Sequence, residues 1–232
     1  MSRPRVAITS TAERAAALAR TVAGHDMEPV SLPCIEVISA PDDQLEIVRA
    51  AAEQADLILV TSARAIEAVW PTGGMPSIPF AAVGAFTANA VTSAGGRVAV
   101  VGDAGAGALA DMLAGKVTAK SVVFPHASGA CRSTIETLER LGASVTALPV
   151  YETRSIGPAA DPVEVATFGS PSAVGGWCRS RSLAGLVLAV IGKTTESALV
   201  ERGYRAHVVP PRPVFDLLVG ELASFLRERS PV

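Results

Sequence analysis

The apolar positions of this chain fall into short unbroken runs, each followed by a stretch whose apolar residues recur at helical spacing. Residues 6–10, VAITS, read as a strand. The helix predicted after it carries Ala15, Leu18, Ala19 and Val22 on one face and stops at Gly24. Residues 28–41, EPVSLPCIEVISAP, read as extended chain, and Pro29, Pro33 and Pro41 suit edge or linker strands. Asp42 is then expected to cap a helix running to about Gln54. From Asp56 the alternation is regular. LILVTS leads to ARAIEAV, FAAVG to FTANAVTSAG, RVAVVG to ALADMLAG through the glycine-rich DAGAG, and SVVFPH to ACRSTIETLERLG. The strand ASVTALPVYETR closes this part. After a polar linker, SIGPAADPVE, the pattern resumes with VATFGS and PSAVGGWCRS, VLAVIG and KTTESALVERG, the strand AHVVP, and a last helix, VFDLLVGELASFLRER.

Continuous apolar strands alternating with helices predict α/β architecture with parallel sheets covered on both faces. The pattern also repeats. Ser62 and Ser170 each end a strand and open a helix, 108 positions apart (170 − 62), and the same offset carries Gly84 to Gly192 and Thr87 to Thr195. Residues 42–148 hold enough strands for a complete sheet. The last segment falls short of one and is expected to gain its missing edge from the first strand–helix unit. The expected fold is two doubly wound parallel-sheet domains. Domain 1 is discontinuous, residues 1–34 with 155–232, and domain 2, residues 42–148, is inserted into it. Residues 35–41, just after Leu32-Pro33, and 149–154, which begin at the proline of Leu148-Pro149, are expected to form a two-stranded hinge, with a ligand cleft between the domains.

Composition narrows the function. The net charge is −2, and no block of like charge stands out, which argues against a nucleic-acid binder. Apart from Lys116, Lys120 and Lys193, the 20 basic residues are arginine, a side chain that suits planar carboxylates as well as a GC-rich coding bias. Cys34, Cys131 and Cys178 are widely spaced and form neither a metal motif nor a disulfide framework. The N-terminus lacks a signal-like apolar core, and AGLVLAVIG from Ala184 is too short to span a bilayer, so a cytoplasmic, monomeric protein is expected.

In doubly wound sheets, ligands lie beyond the carboxyl ends of the strands. Ser62-Ala63, Gly84-Ala85, Ser170-Pro171 and Gly192-Lys193 would present helix-start amides there, each favouring an anion by about 0.3–1 kcal/mol. The same serines equally suit ordinary N-caps. GDAGAG from Gly102 does not match a dinucleotide loop, and no P-loop, nucleophile elbow or HExxH occurs. His25 reads as a helix-end residue, His207 as part of a strand, and His126 as a loop residue at a strand end. Tyr151 either packs an apolar ring or offers a proton.

VTSARAIEAV, AAVGAFTANAV, Gly129 to Arg132, LPVYETR, FGSPSAV and IGKTTESAL together, in this order, resemble the uroporphyrinogen-III synthase family. The resemblance spans nearly the whole chain. It implies an enzyme that cyclises hydroxymethylbilane to uroporphyrinogen III with inversion of ring D, without metal or organic cofactor and without nucleic-acid or membrane partners. It implies Tyr151 as the proposed acid. It implies Ser62, Ala63, Thr87, Arg132, Ser170, Ser172, Lys193, Thr194 and Thr195 as substrate-binding positions. Thr9-Ser10-Thr11 stands where the family often has Thr-Arg-Pro, Gly169 where it has threonine, and Pro125-His126 where it has Pro-Arg. The alternative is a non-catalytic tetrapyrrole- or anion-binding regulatory module of the same fold.

Overall fold

A computed structural model describes residues 3–103, 105–129 and 132–229. The elements in chain order are β1 (Arg5–Ile8), α1 (Ala12–Ala23), β2 (Glu28–Ser31), β3 (Ile35–Ser39), α2 (Asp42–Glu53), β4 (Leu57–Val60), α3 (Ala63–Val69), β5 (Pro79–Val83), α4 (Gly84–Ser93) and β6 (Arg97–Gly102). They continue with α5 (Gly105–Met112), β7 (Ser121–Ala127), α6 (Arg132–Arg140), β8 (Ser144–Ser155), β9 (Val165–Phe168), α7 (Pro171–Trp177), β10 (Val187–Val190), α8 (Lys193–Val200) and α9 (Phe215–Arg229). The expected start of α6 at Ala130 and Cys131 lies outside the described residues.

The chain divides into two units, Met1–Val37 with Thr153–Val232, and Ile38–Glu152. A four-stranded sheet has the order β10-β9-β1-β2, and a six-stranded sheet the order β3-β8-β7-β4-β5-β6. The pairs β2–β1, β1–β9 and β9–β10 are parallel, as are those linking β8, β7, β4, β5 and β6.

Every residue of β4 and of β9 is buried, because helices cover both sheet faces. In the four-stranded sheet the two-residue period sorts side chains cleanly. Ala7, Ala166, Phe168, Leu188 and Val190 pack with Trp177, Ala198 and Leu199 of α7 and α8. Val6, Ile8, Val165 and Ala189 pack with Val22 of α1 and Leu218, Val219 and Leu222 of α9 on the other face. Trp177 is fully buried, edge-on to Phe168 at 5.9 Å, and its indole N–H donates to the Ser182 carbonyl at 3.1 Å.

The repeat visible in the sequence is kept in register. Ile58 faces Phe80 and Val60 faces Ala82. Their counterparts 108 residues on, Ala166 with Leu188 and Phe168 with Val190, pair the same way. Leu57 opposite Val122 likewise matches Val165 opposite Val6. Arg5 faces Glu28 and Ser121 faces Ser144, the same separation along the chain. The strand order β5-β4-β7-β8 therefore maps onto β10-β9-β1-β2, so the first unit is the second rewired by circular permutation.

Three sequence expectations change. First, β1 is an inner strand between β9 and β2, so β2, with Pro29, forms the edge. Second, AHVVP forms one isolated bridge, Ala189 to Val208, although it occupies the place that Ala81 to Val100 holds in the other unit. Third, the cap of α2 is Pro41, whose side chain offers no acceptor. Asp42 is the first helical residue, where its charge suits the positive end of the helix.

Candidate functional site at the carboxyl ends of the strands

Each unit carries two kinds of helix start, side by side on adjacent strands. The first kind is serine-capped. Ser62 takes extended backbone angles and its Oγ accepts from the Arg64 amide at 3.2 Å. Ser170 does the same for the Ala173 amide at 3.2 Å. A hydroxyl that accepts from an amide keeps its own proton, so capping leaves each serine able to donate as well.

The second kind has no side-chain cap. Helix α4 opens at Gly84 with φ +73°, a left-handed geometry that glycine tolerates without strain, and the preceding Val83 caps nothing. Helix α8 opens after Gly192, again with no side-chain cap. The first amides of these two helices are the donors that a helix cannot satisfy internally. Lys193 and Thr194 are exposed at the start of α8, and the Lys193 carbonyl accepts from Ser197 Oγ at 3.1 Å.

The structure gathers the predicted residues within each unit. In one, Ser62, Ala63 and Thr87 follow β4 and β5. Arg132 opens α6 after β7, and Tyr151 lies on β8 opposite Ala127, the last residue of β7. Ser62, Ala63, Thr87 and Arg132 follow the carboxyl ends of β4, β5 and β7, which are neighbours in the sheet, and Tyr151 sits on the adjacent β8 level with the end of β7. In the other unit, Ser170, Ser172, Lys193, Thr194 and Thr195 share the carboxyl ends of β9 and β10.

Their exposure differs in ways the sequence did not show. Thr87 and Thr195, equivalent by the repeat, are both buried, at 4% and 3% exposure, and Ala63 is buried as well. Ala63 offers a ligand its backbone amide and little else. Ser172 is half-buried, and its carbonyl accepts from Ser155 Oγ at 2.9 Å. Arg132 is exposed and 3.4 Å from Glu136 one turn on, a surface pair that contributes little to stability. Tyr151 is buried, and its carbonyl accepts from the Ser128 amide at 2.7 Å.

His126, expected in a loop, is instead a half-buried residue of β7. Its ring lies 5.1 Å from that of Phe124, and Nδ1 is 2.8 Å from the Ala127 carbonyl. Thr11, left out of the predicted set, caps α1 by accepting from the Arg14 amide at 3.4 Å, and so marks a third corner of its sheet. The signal for it was the threonine directly before the apolar helical run.

Neither described thiol is set up as a nucleophile. Burial pushes Cys34 up to about 12, and its Sγ donates to the Leu32 carbonyl at 3.3 Å. Partial burial raises Cys178 as well. Among the described residues no group of His, Cys, Asp or Glu is spaced to hold a metal ion, and no helix is long and apolar enough to cross a membrane.

A family model described as uroporphyrinogen-III synthase HemD matches residues 16–220. The chain belongs to the uroporphyrinogen-III synthase family. A rice (Oryza sativa subsp. japonica) relative, "Uroporphyrinogen-III synthase, chloroplastic", is 28% identical over 247 residues, covering 97% of this chain and 81% of its own length. Among solved structures, uroporphyrinogen-III synthetase from Helicobacter pylori superposes with a TM-score of 0.69 at 19% identity, covering 97% of this chain and 100% of that one. A mutant uroporphyrinogen III synthase from Thermus thermophilus gives 0.67 at 18% identity with the same coverage. These structural likenesses establish the shared α/β fold with parallel sheets. The family match assigns the chain to the cyclising lyases of heme biosynthesis.

Proposed function

We propose that the paired helix starts receive the acetate and propionate carboxylates of hydroxymethylbilane, and that the chain folds this linear tetrapyrrole into the conformation that closes to uroporphyrinogen III. The observation that carries this reading is the repeat in register. Both units keep a serine-capped start beside an uncapped one, on the same adjacent strand pair. A ligand with eight carboxylates suits many modest anion sites better than one strong one.

The reaction needs acid-assisted loss of a hydroxyl as water to form an azafulvene, followed by attack that passes through a spiro intermediate and inverts ring D. Closure without the enzyme gives the other isomer. Holding one conformation therefore supplies most of the selectivity, a positioning effect that requires no strong acid–base pair. Tyr151 is the proton donor in this reading, supported by its place level with the carboxyl end of β7. Lys193, Arg132 and the hydroxyls of Ser62 and Ser170 hold carboxylates. The working form is a cytoplasmic monomer, a setting that the free thiols Cys34 and Cys178 suit; light scattering after size exclusion checks the monomer.

The test is a coupled assay in which hydroxymethylbilane is made in situ and the product isomers are separated. Isomer III well above the enzyme-free level is expected. An isomer ratio equal to the enzyme-free control would leave the non-catalytic binding module in its place.

A further inference from the structure

The amino end of β10, opposite the Lys193 corner, holds a pocket of about 400 Å³. It is lined by the 183–188 turn and strand start, by Gly203, Tyr204, Arg205 and His207, and by Arg229 at the end of α9. No Asp or Glu is among the lining residues. Arg205 and Arg229 form no ion pair with any described residue. Two guanidinium groups, a tyrosine and a histidine around one pocket, with no carboxylate among the described lining residues, make a positive potential with several donors.

Two of these side chains are held in place. His207 Nδ1 accepts from the Leu188 amide at 3.0 Å, so the neutral ring carries its proton on Nε2, as a donor. Phe225 then anchors two groups at once. Its ring lies 5.8 Å from that of His207, and the Arg229 guanidinium stacks over it at 5.4 Å. The fold does not demand this arrangement. In the equivalent places of the other unit, 108 residues earlier, Tyr204 and His207 are replaced by Gly96 and Ala99, while Gly95 and Arg97 match Gly203 and Arg205. Helix α9 also continues to Arg229, whereas its counterpart α5 ends at Met112.

We propose that this pocket binds a small oxyanion-bearing molecule, a phosphate or a polycarboxylate, at a site separate from the tetrapyrrole corners. The volume equals that of roughly 13 water molecules at about 30 Å³ each, enough for a ligand of tricarboxylate or sugar-phosphate size. Paired arginines suit planar or tetrahedral oxyanions through forked donation.

Isothermal titration of the whole chain with inorganic phosphate, pyrophosphate and citrate, at low and fixed ionic strength, tests the site. Saturable binding of at least one probe is expected, and the tightest probe tells phosphate from carboxylate chemistry. Arg205→Ala and Arg229→Ala should each weaken it about tenfold or more and leave cyclisation without the anion unchanged. Both positions are exposed, so far-UV circular dichroism should match the parent. His207→Ala, which keeps both arginines, should weaken binding less. The proposal is overturned if no probe saturates. It is equally overturned if binding survives both arginine variants, or if Lys193→Ala abolishes it, which would put the anion at the tetrapyrrole corners.

Discussion

Gly176 shows how tightly one residue can be fixed by its neighbours. A Cβ there would lie 2.0 Å from the Cys34 carbonyl oxygen and 2.7 Å from that of Ile156, both backbone atoms that cannot swing aside. The Ile156 amide donates to that same Cys34 carbonyl at 2.9 Å, so α7 rests directly on paired backbone. Gly176→Ala is expected to destabilise the chain by about 3 kcal/mol or more, read from urea unfolding midpoints. The chemistry proposed for Tyr151 predicts a different signature. Tyr151→Phe keeps the buried ring and removes only the hydroxyl, so the unfolding midpoint should move little while turnover slows about tenfold without stopping. Full turnover in that variant would assign the acid elsewhere. The sequence was enough to place both serines at strand ends and Tyr151 on a strand, as the structure has them. It had no means of showing that Thr87 and Thr195 turn inward, because a helix buries or exposes a threonine according to what packs against it.

At the level of elements, helix starts and strand pairings carry the argument. Asp56 and Ser121 tie the amino ends of β4 and β7 together. The Ser121 amide and hydroxyl both donate to the Asp56 carboxylate, at 2.8 and 3.2 Å, and hold its pKa below the usual carboxylate value. A depressed carboxylate stabilises the fold fully above its unfolded pKa, near about 3.9, and loses that contribution as pH falls through the folded value. Asp56→Asn should therefore unfold more readily than the parent at pH 7. The gap should begin to close near pH 4 and vanish in stronger acid, as followed by thermal melts across pH. A gap that stayed constant to pH 2 would mean that the charge of Asp56 is irrelevant. Strand and helix runs were legible here because their periods are local. The rank of a strand within its sheet was not. Val6 to Ile8 look the same in an edge and in an inner strand, and only β9 and β2 on either side decide it.

For the whole molecule, a chain of net charge −2 that binds a polyanion must attract it through local fields, since the global field is weakly repulsive. Such fields fade over a Debye length of about 8 Å at physiological salt. The KM for hydroxymethylbilane should therefore rise several-fold between about 0.05 and 0.5 M potassium chloride, while kcat stays nearly constant, in initial-rate assays. A KM indifferent to salt would argue that apolar packing of the pyrrole rings, rather than amides and cations, holds the substrate.

The 108-residue offset, the serine corners, the α/β alternation and the family resemblance were all written in the order of residues, because each rests on spacing along one chain. That the first strand–helix unit completes the sheet of the last segment was also expected from the strand count. The inner rank of β1 between β9 and β2, and the register that makes the first unit a permuted copy of the second, were decided only by tertiary structure. So were the burial of the paired threonines and the gathering of Arg205, His207 and Arg229 around one cavity. Those features depend on pairings between segments far apart in sequence, and no local period records which distant strand a given run will meet.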